Sequence, residues 1–196
     1  MSKDIFFSSD EHLRHGNIAT VFKKRDGTPL RGFSSGKEMD DYIIEKHNSV
    51  VRPQDSWYCL GDISMMRPRF VASQLKSLNG HKRLIRGNHD IFKTKEYLEF
   101  FDEIYGVRVL DNIIFSHYPI HPTTSGRYLA NCHGHVHDGP DLPSIPRTAN
   151  DGKVLNPLHY INLTVEHLND YTPIHLEDLR LRIAKLNEAY EHKEEE

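Results

Sequence analysis

Nine residues define the chemistry open to this chain. Asp10, His12, Asp62, Asn88, His89, Asp90, His117, His135 and His137 combine carboxylate, imidazole and carboxamide groups, and each follows a short apolar run or stands in a turn. Mixed oxygen and nitrogen donors without thiolate suit borderline divalent cations such as Mn, Fe, Zn, Ni or Co and disfavour a structural zinc cluster. Seven of the nine are enough to ligate two ions with one aspartate shared between them. Two ions about 3.5–4 Å apart steady both the attacking and the leaving oxygen of an in-line phosphoryl displacement. The densest part of the pattern is Cys132-His133-Gly134-His135-Val136-His137, which holds three of the chain's 14 histidines.

Groups scattered over more than a hundred positions meet only if rigid elements carry them to one place. Ile5, Phe6 and Phe7 form a continuous apolar run of the kind found in a strand buried on both faces, which puts Asp10 at a strand's carboxyl end. Trp57-Tyr58-Cys59-Leu60 before Gly61-Asp62, and Leu84-Ile85 before Arg86-Gly87-Asn88-His89-Asp90, repeat the design. Between them the spacing predicts a short helix over 17–23 and an amphipathic helix opened by Ser35 and Glu38. In the latter, Met39, Tyr42, Ile43, Lys46 and Val50 recur at helical intervals up to Arg52-Pro53. Further helices are expected over 70–78, ended by Asn79-Gly80, and over 94–101. Such strand–helix alternation predicts a parallel layer with its site along the carboxyl edge.

After Asp102 the pattern turns to strands, over 107–110, 113–117, 129–133 and 159–163. They are joined by the Asp111-Asn112 turn and by a glycine- and proline-rich connection over 139–152. Leu176, Leu179, Ile183, Leu186 and Tyr190 then mark a C-terminal helix, expected to fray into the acidic tail from about residue 191. With no internal repeat and no long linker, the reading is one domain over 1–196. Its class is α/β, a two-sheet β-sandwich core flanked by helices in four layers, α/β/β/α.

Composition excludes several functions. The 196 residues are 37% hydrophobic, enough for a substantial core, and the net charge of −3 argues against a protein built to coat nucleic acid or an anionic membrane. Cys59 and Cys132 lack zinc-finger spacing and read as reduced thiols of a cytoplasmic protein. The three apolar residues before Ser8 are too few for a signal or membrane segment.

Taken in order, Asp10-x-His12, Gly61-Asp62, Gly87-Asn88-His89-Asp90, the single His117 and Gly134-His135-Val136-His137 resemble the calcineurin-like metallophosphoesterases, in particular the small cap-free bacterial and phage members. The resemblance implies one ion held by Asp10, His12, Asp62 and His137, and another by Asp62, Asn88, His117 and His135, with Asp62 as the bridge. It further implies that His89 protonates the leaving alkoxide, that Asp90 holds the other nitrogen of the His89 ring, and that a metal-bridging hydroxide is the nucleophile. His133 matches no ligand position. Arg127 is the expected anion contact, and the segments 20–36 and 119–127 are expected to wall the cleft. The expected activity is hydrolysis of a phosphodiester or phosphomonoester of a small, nucleotide-like substrate. Two alternatives stand beside it: a nuclease working on nucleic-acid ends, disfavoured by the scarcity of basic residues, and a non-catalytic scaffold of the same fold, disfavoured because every motif position is filled.

Overall fold

Four short strands, β1 (Ile5–Ser8), β2 (Ser56–Cys59), β3 (His81–Ile85) and β4 (Glu103–Tyr105), run parallel in that order. β10 (Ile174–His175) pairs antiparallel on the free side of β1. The computed structural model describes residues 3–124, 126–139, 142–148, 152 and 154–194. The register pairs Ser8 with Cys59 and Cys59 with Leu84, so β1, β2 and β3 end side by side and release their polar residues at one edge. The side chains alternate as the pleat requires. Phe6, Trp57, Cys59 and Leu84 pack towards the helices with Leu75, Leu78, Tyr97 and Phe101, while Phe7, Tyr58 and Ile85 join the opposite cluster.

The helical layer is made of α1 (Gly16–Thr20), α2 (Gly36–Val50), α3 (Ala72–Ser77) and α4 (Thr94–Tyr97). Ser35 caps α2 by accepting the Glu38 N–H at 3.1 Å, as its spacing predicts. The Glu38 carboxylate accepts from the Ser34 N–H instead of closing the reciprocal half of the box. The helix expected over 70–78 opens earlier, as a 3-10 turn at Pro68–Val71 with Pro68 in its first turn, where a proline's missing N–H costs least. α4 stops at Tyr97, short of 101, because the N–H groups of Phe100 and Phe101 both bond the Tyr97 carbonyl and close the helix.

The second sheet has the order β5-β6-β7-β9-β8. β5 (Val107–Leu110) and β6 (Ile113–Ser116) form a hairpin whose turn residues Asp111 and Asn112 have φ of 49° and 61°, the backbone a tight right-twisted hairpin needs. β6, β7 (Ala130–His133) and β9 (Val154–Asn162) are parallel, and β8 (Ile145–Thr148) is antiparallel on the outside of β9. β8 lies within the stretch read as a connection. Four residues that include Pro146 give no strand period, and an edge strand is where a sheet tolerates a proline. Residues 140–141, 149–151 and 153 of this region fall outside the described set. β4 and β10 were also not expected; three and two residues are too few to carry a pattern.

Phe7 stacks on Phe115 at 4.1 Å and 7°, so the sheets face each other across an apolar layer that includes Cys132 and Ile161. Burying each such aromatic side chain contributes about 1.5–3 kcal/mol. α5 (Leu176–Glu194) packs on β1, β9 and β10 and adds Leu176, Leu179 and Ile183 to that layer. The helix runs to Glu194, and residues 195–196 of the acidic tail lie outside the described residues. The architecture is mixed α/β, two five-stranded sheets flanked by helices. Among the described residues no helix is long and apolar enough to cross a membrane.

Candidate metal centre

Beyond their last sheet pairs, the chains leaving β1 and β2 stay zipped together. Asp10 N–H bonds the Gly61 carbonyl at 3.0 Å, His12 N–H the Asp62 carbonyl at 3.1 Å, and Leu13 N–H the Ile63 carbonyl at 2.9 Å. This places Asp10, His12 and Asp62 together in the seam between the sheets. A parallel bridge from Ser9 to Thr164 and the bond from Val165 N–H to the Ser9 carbonyl tie that seam to the end of β9.

The structure brings the expected ligand residues into two adjoining groups, Asp10 with His12 and His137, and Asp62 with His117 and His135. In the first, Asp10 Oδ1 lies 3.7 Å from His12 Nε2 and 3.5 Å from His137 Nε2. In the second, Asp62 Oδ2 lies 3.4 Å from His117 Nε2, and Asn88 Oδ1 is 2.8 Å from His117 Nε2 and 2.9 Å from His135 Nδ1. Asp62 Oδ2 is also 3.9 Å from His12 Nε2, so this one oxygen faces both groups.

Each aspartate divides its work between its two oxygens. Asp10 Oδ2 accepts the Ser9 hydroxyl and the His135 N–H, while Asp10 Oδ1, fully buried, has no hydrogen-bond partner. Asp62 Oδ1 accepts the His89 N–H at 2.8 Å and leaves Oδ2 to the imidazoles. Both nitrogens of the buried His12 ring are likewise without partners. An unpaired buried acceptor beside unpaired imidazole nitrogens costs several kcal/mol unless a cation fills the gap, so the donor set fits divalent metal.

The imidazoles are oriented from behind. His117 Nδ1 bonds the Leu60 carbonyl at 2.9 Å, which turns Nε2 to the site. His137 Nδ1 meets the Glu166 carboxylate. Glu166, 4% exposed, is paired in turn with the buried Arg31 at 3.0 Å, and Arg31 also donates to the carbonyls of Asp10 and Glu11. Carboxylates behind metal-binding histidines fix the ring and raise its basicity. Sequence reasoning missed both residues. Glu166 stands at the polar end of β9 like the other site residues, a signal that could have found it; Arg31, alone in a glycine- and proline-rich loop, gave none.

Five of these residues hold left-handed backbone: Asp10 at φ 62°, His12 at 49°, Asp62 at 54°, His135 at 69° and His137 at 39°. For residues with a Cβ this conformation costs about 1–2 kcal/mol apiece. Gly134 explains the glycine among the histidines. A Cβ there would fall 2.2 Å from Asp10 Oδ2 and 2.0 Å from Ser9 Oγ, so only glycine lets β7 approach β1 this closely.

Charge follows from this packing. Burial alone raises the Asp10 carboxyl, but the imidazoles of His12, His137 and His117 around it outweigh burial and hold the group well below the ordinary carboxylate range. Burial also raises Asp62, and His117 and the His89 N–H bring it below its usual value. Burial lowers His12 and His135, whereas Glu166 lifts His137 above its usual value against the effect of burial. Glu11 lies beneath the site, bonded by Ser8 and Cys59, and burial pushes it up to about 7.

Other expectations fare differently. The His89 ring is half-buried, with Nε2 3.9 Å from Asp62 Oδ2 and its ring 5.6 Å from that of His12. Asp90 does not hold the His89 ring. Its buried carboxylate accepts the N–H groups of Asp62 and Gly87 at 2.8 Å and of Ile63 at 3.3 Å, so it anchors the β2 and β3 loops to each other. Arg127 lies exposed against the Tyr128 ring, and among the described residues nothing ties it to the ligand groups. His133 is buried beside the Gly134 carbonyl and the Tyr160 ring and belongs to neither group. Of the two expected walls, residues from 21–30 line a cleft beside His137, while Pro119, Ile120, His121 and Pro122 line a separate one towards β8.

No family model matches the chain. Among solved structures, it resembles AQ665, a protein of unknown function from Aquifex aeolicus, at 26% identity and a TM-score of 0.58, covering 91% of this chain and 98% of that one. A looser likeness, at 14% identity and a TM-score of 0.36, covers 84% of this chain and 74% of a Streptococcus pneumoniae protein described as a predicted phosphoesterase. At the sequence level it is 31% identical over 183 residues to the uncharacterized protein MJ1445 of Methanocaldococcus jannaschii, covering 89% of this chain and 88% of that protein. At that identity and coverage, this chain belongs to the same family as the Methanocaldococcus protein.

Proposed function

We propose that this protein is a dinuclear metal-dependent phosphoesterase of the calcineurin-like type, hydrolysing a phosphodiester or phosphomonoester of a small substrate. The observation that carries the reading is the pair of adjoining donor groups facing the same Asp62 oxygen, with Asp10 Oδ1 and His12 Nε2 buried and unpartnered between them. Asp10, His12, Asp62 and His137 would hold one cation, and Asp62, Asn88, His117 and His135 the other. When bound, the cations supply charge neutralisation at the phosphoryl oxygens and activation of water near neutral pH.

The chain's own groups supply the rest. His89 stands at the open side with its main chain fixed on Asp62, where its ring can give a proton to the departing oxygen. Water oxygen bonds to phosphorus and gives up a proton to solvent, the ester P–O bond breaks, and the proton from His89 leaves with the alcohol and is replaced from solvent. Glu166 and Arg31 keep the His137 ring aimed, and Asp90 keeps the Asp62 and Asn88 loops in register.

With Mn or Ni supplied, the purified protein should hydrolyse bis-p-nitrophenyl phosphate. Asp62→Asn or His89→Ala should lower turnover at least about a hundredfold, the scale of one lost general acid or bridging ligand. Full activity in either variant removes that residue from the reaction. Protein that retains neither metal nor activity belongs with the scaffold reading.

A further inference from the structure

The residues from 21 to 30 do more than connect α1 to α2. Leu30 N–H bonds the Phe22 carbonyl and Lys24 N–H the Thr28 carbonyl, both at 2.8 Å, and Lys23 bridges Pro29, so the segment is a small hairpin. Asp138, in the turn just after His137, accepts the Arg25 N–H at 2.7 Å and pins the hairpin to the site. Between hairpin and turn lies a cavity of about 610 Å³, within the range of small-molecule sites, with His137 in its wall. Its apolar side is Val21, Phe22 and Leu30, the first two exposed at 61% and 46%. The Phe22 ring stands at 84° to that of His15, which in turn lies 5.4 Å from His12, so the apolar side abuts the ligand groups. Lys23 and Arg25 line the same cavity, and among the described residues neither is in an ion pair. Asp138 is the acid facing them, and its carboxylate is already engaged by a main-chain N–H.

We infer that this cleft recognises the organic part of the substrate, and that this part pairs a flat aromatic ring, stacked on Phe22, with a second anionic group held by Lys23 and Arg25. The inference rests on the phosphoesterase reading for the position of the scissile phosphate, and it names the substrate class as phosphorylated nucleotides bearing a further phosphate. A hairpin whose backbone is already fixed presents the ring and the two cations with only their side chains left to order at binding.

The test is binding of adenosine 3′,5′-bisphosphate, adenosine 5′-monophosphate and ribose 5-phosphate to the Mn-supplied protein, measured by calorimetry. Loss of the base should weaken binding about tenfold, the scale of one base–aromatic stack, and loss of the second phosphate about threefold, the scale of an exposed ion pair. Phe22→Ala should erase the first step and the Lys23→Ala, Arg25→Ala double variant the second. Three ligands that bind within twofold of one another, or not at all, overturn the inference, as do variants that weaken all three equally. Hydrolysis of bis-p-nitrophenyl phosphate is scored separately. An active enzyme with a flat binding order loses only the cleft assignment, and an inactive protein that keeps the order loses only the reaction.

Discussion

At the scale of the residue, the site depends on groups that touch no substrate. Glu166 is the clearest case: one oxygen meets His137 Nδ1, the other pairs with buried Arg31, and the two partners pull its pKa down against the effect of burial. Glu166→Gln keeps the shape but removes the charge that raises His137's basicity and balances Arg31. Supporting carboxylates of this kind are worth about 10–100-fold in metal affinity. Titrating Mn into metal-free wild type and Glu166→Gln should show a loss of that size, and equal affinities would mean that Glu166 serves only to neutralise Arg31. The same scale separates what the sequence disclosed from what it hid. Asp10, Asp62, Asn88, His135 and His137 sit in short motifs whose residue types carry their chemistry. Arg31 reaches the site from 135 positions before its partner Glu166, a contact that no local pattern encodes. The role expected for Asp90 failed for a related reason, since adjacency to His89 says nothing about which main-chain N–H groups a buried carboxylate will meet.

At the scale of the element, the site is a meeting of strand ends. β1, β2 and β3 were legible because each is a short apolar run cut off by polar residues, and α2 because its cap and its period agree. β4, β8 and β10 were not, because two to four residues at a sheet's edge owe their conformation to a neighbour's hydrogen bonds more than to their own composition. Strand ends can converge only where backbones pass closely, and the segment leaving β7 passes the one leaving β1 at Gly134. Gly134→Ala would put a methyl group 2.2 Å from Asp10 Oδ2, so either that carboxylate or the turn carrying His135 and His137 must move. Metal binding and turnover should both be lost, with the fold retained by circular dichroism. Gly106→Ala makes the control, for a Cβ there meets nothing within 4 Å. A Gly134→Ala protein that binds metal normally would mean the two sheets approach less closely than described.

At the scale of the whole molecule, the fold stores at this seam a cost that bound cations would offset. Five left-handed residues and two carboxylates facing the one His12 imidazole lie where the sheets join, beside the Phe7–Phe115 stack that holds the sandwich together. The strain persists because the rest of the molecule dictates it: the zipper between the β1 and β2 loops, the Ser9–Thr164 bridge and the Asp90 anchor leave these residues no other conformation. A cation that binds only the folded form adds RT ln(1 + [L]/Kd), about 2.7 kcal/mol at a hundredfold excess over Kd. For a chain of this length that corresponds to a rise of roughly 5–10 °C in Tm. Thermal melts with a chelator and with excess Mn should therefore differ by that amount, and the difference should collapse in Asp62→Asn, which weakens the oxygen facing both groups. Coincident melts of the wild type in the two conditions would mean that the seam is stable on its own and that the paired donors do not hold metal.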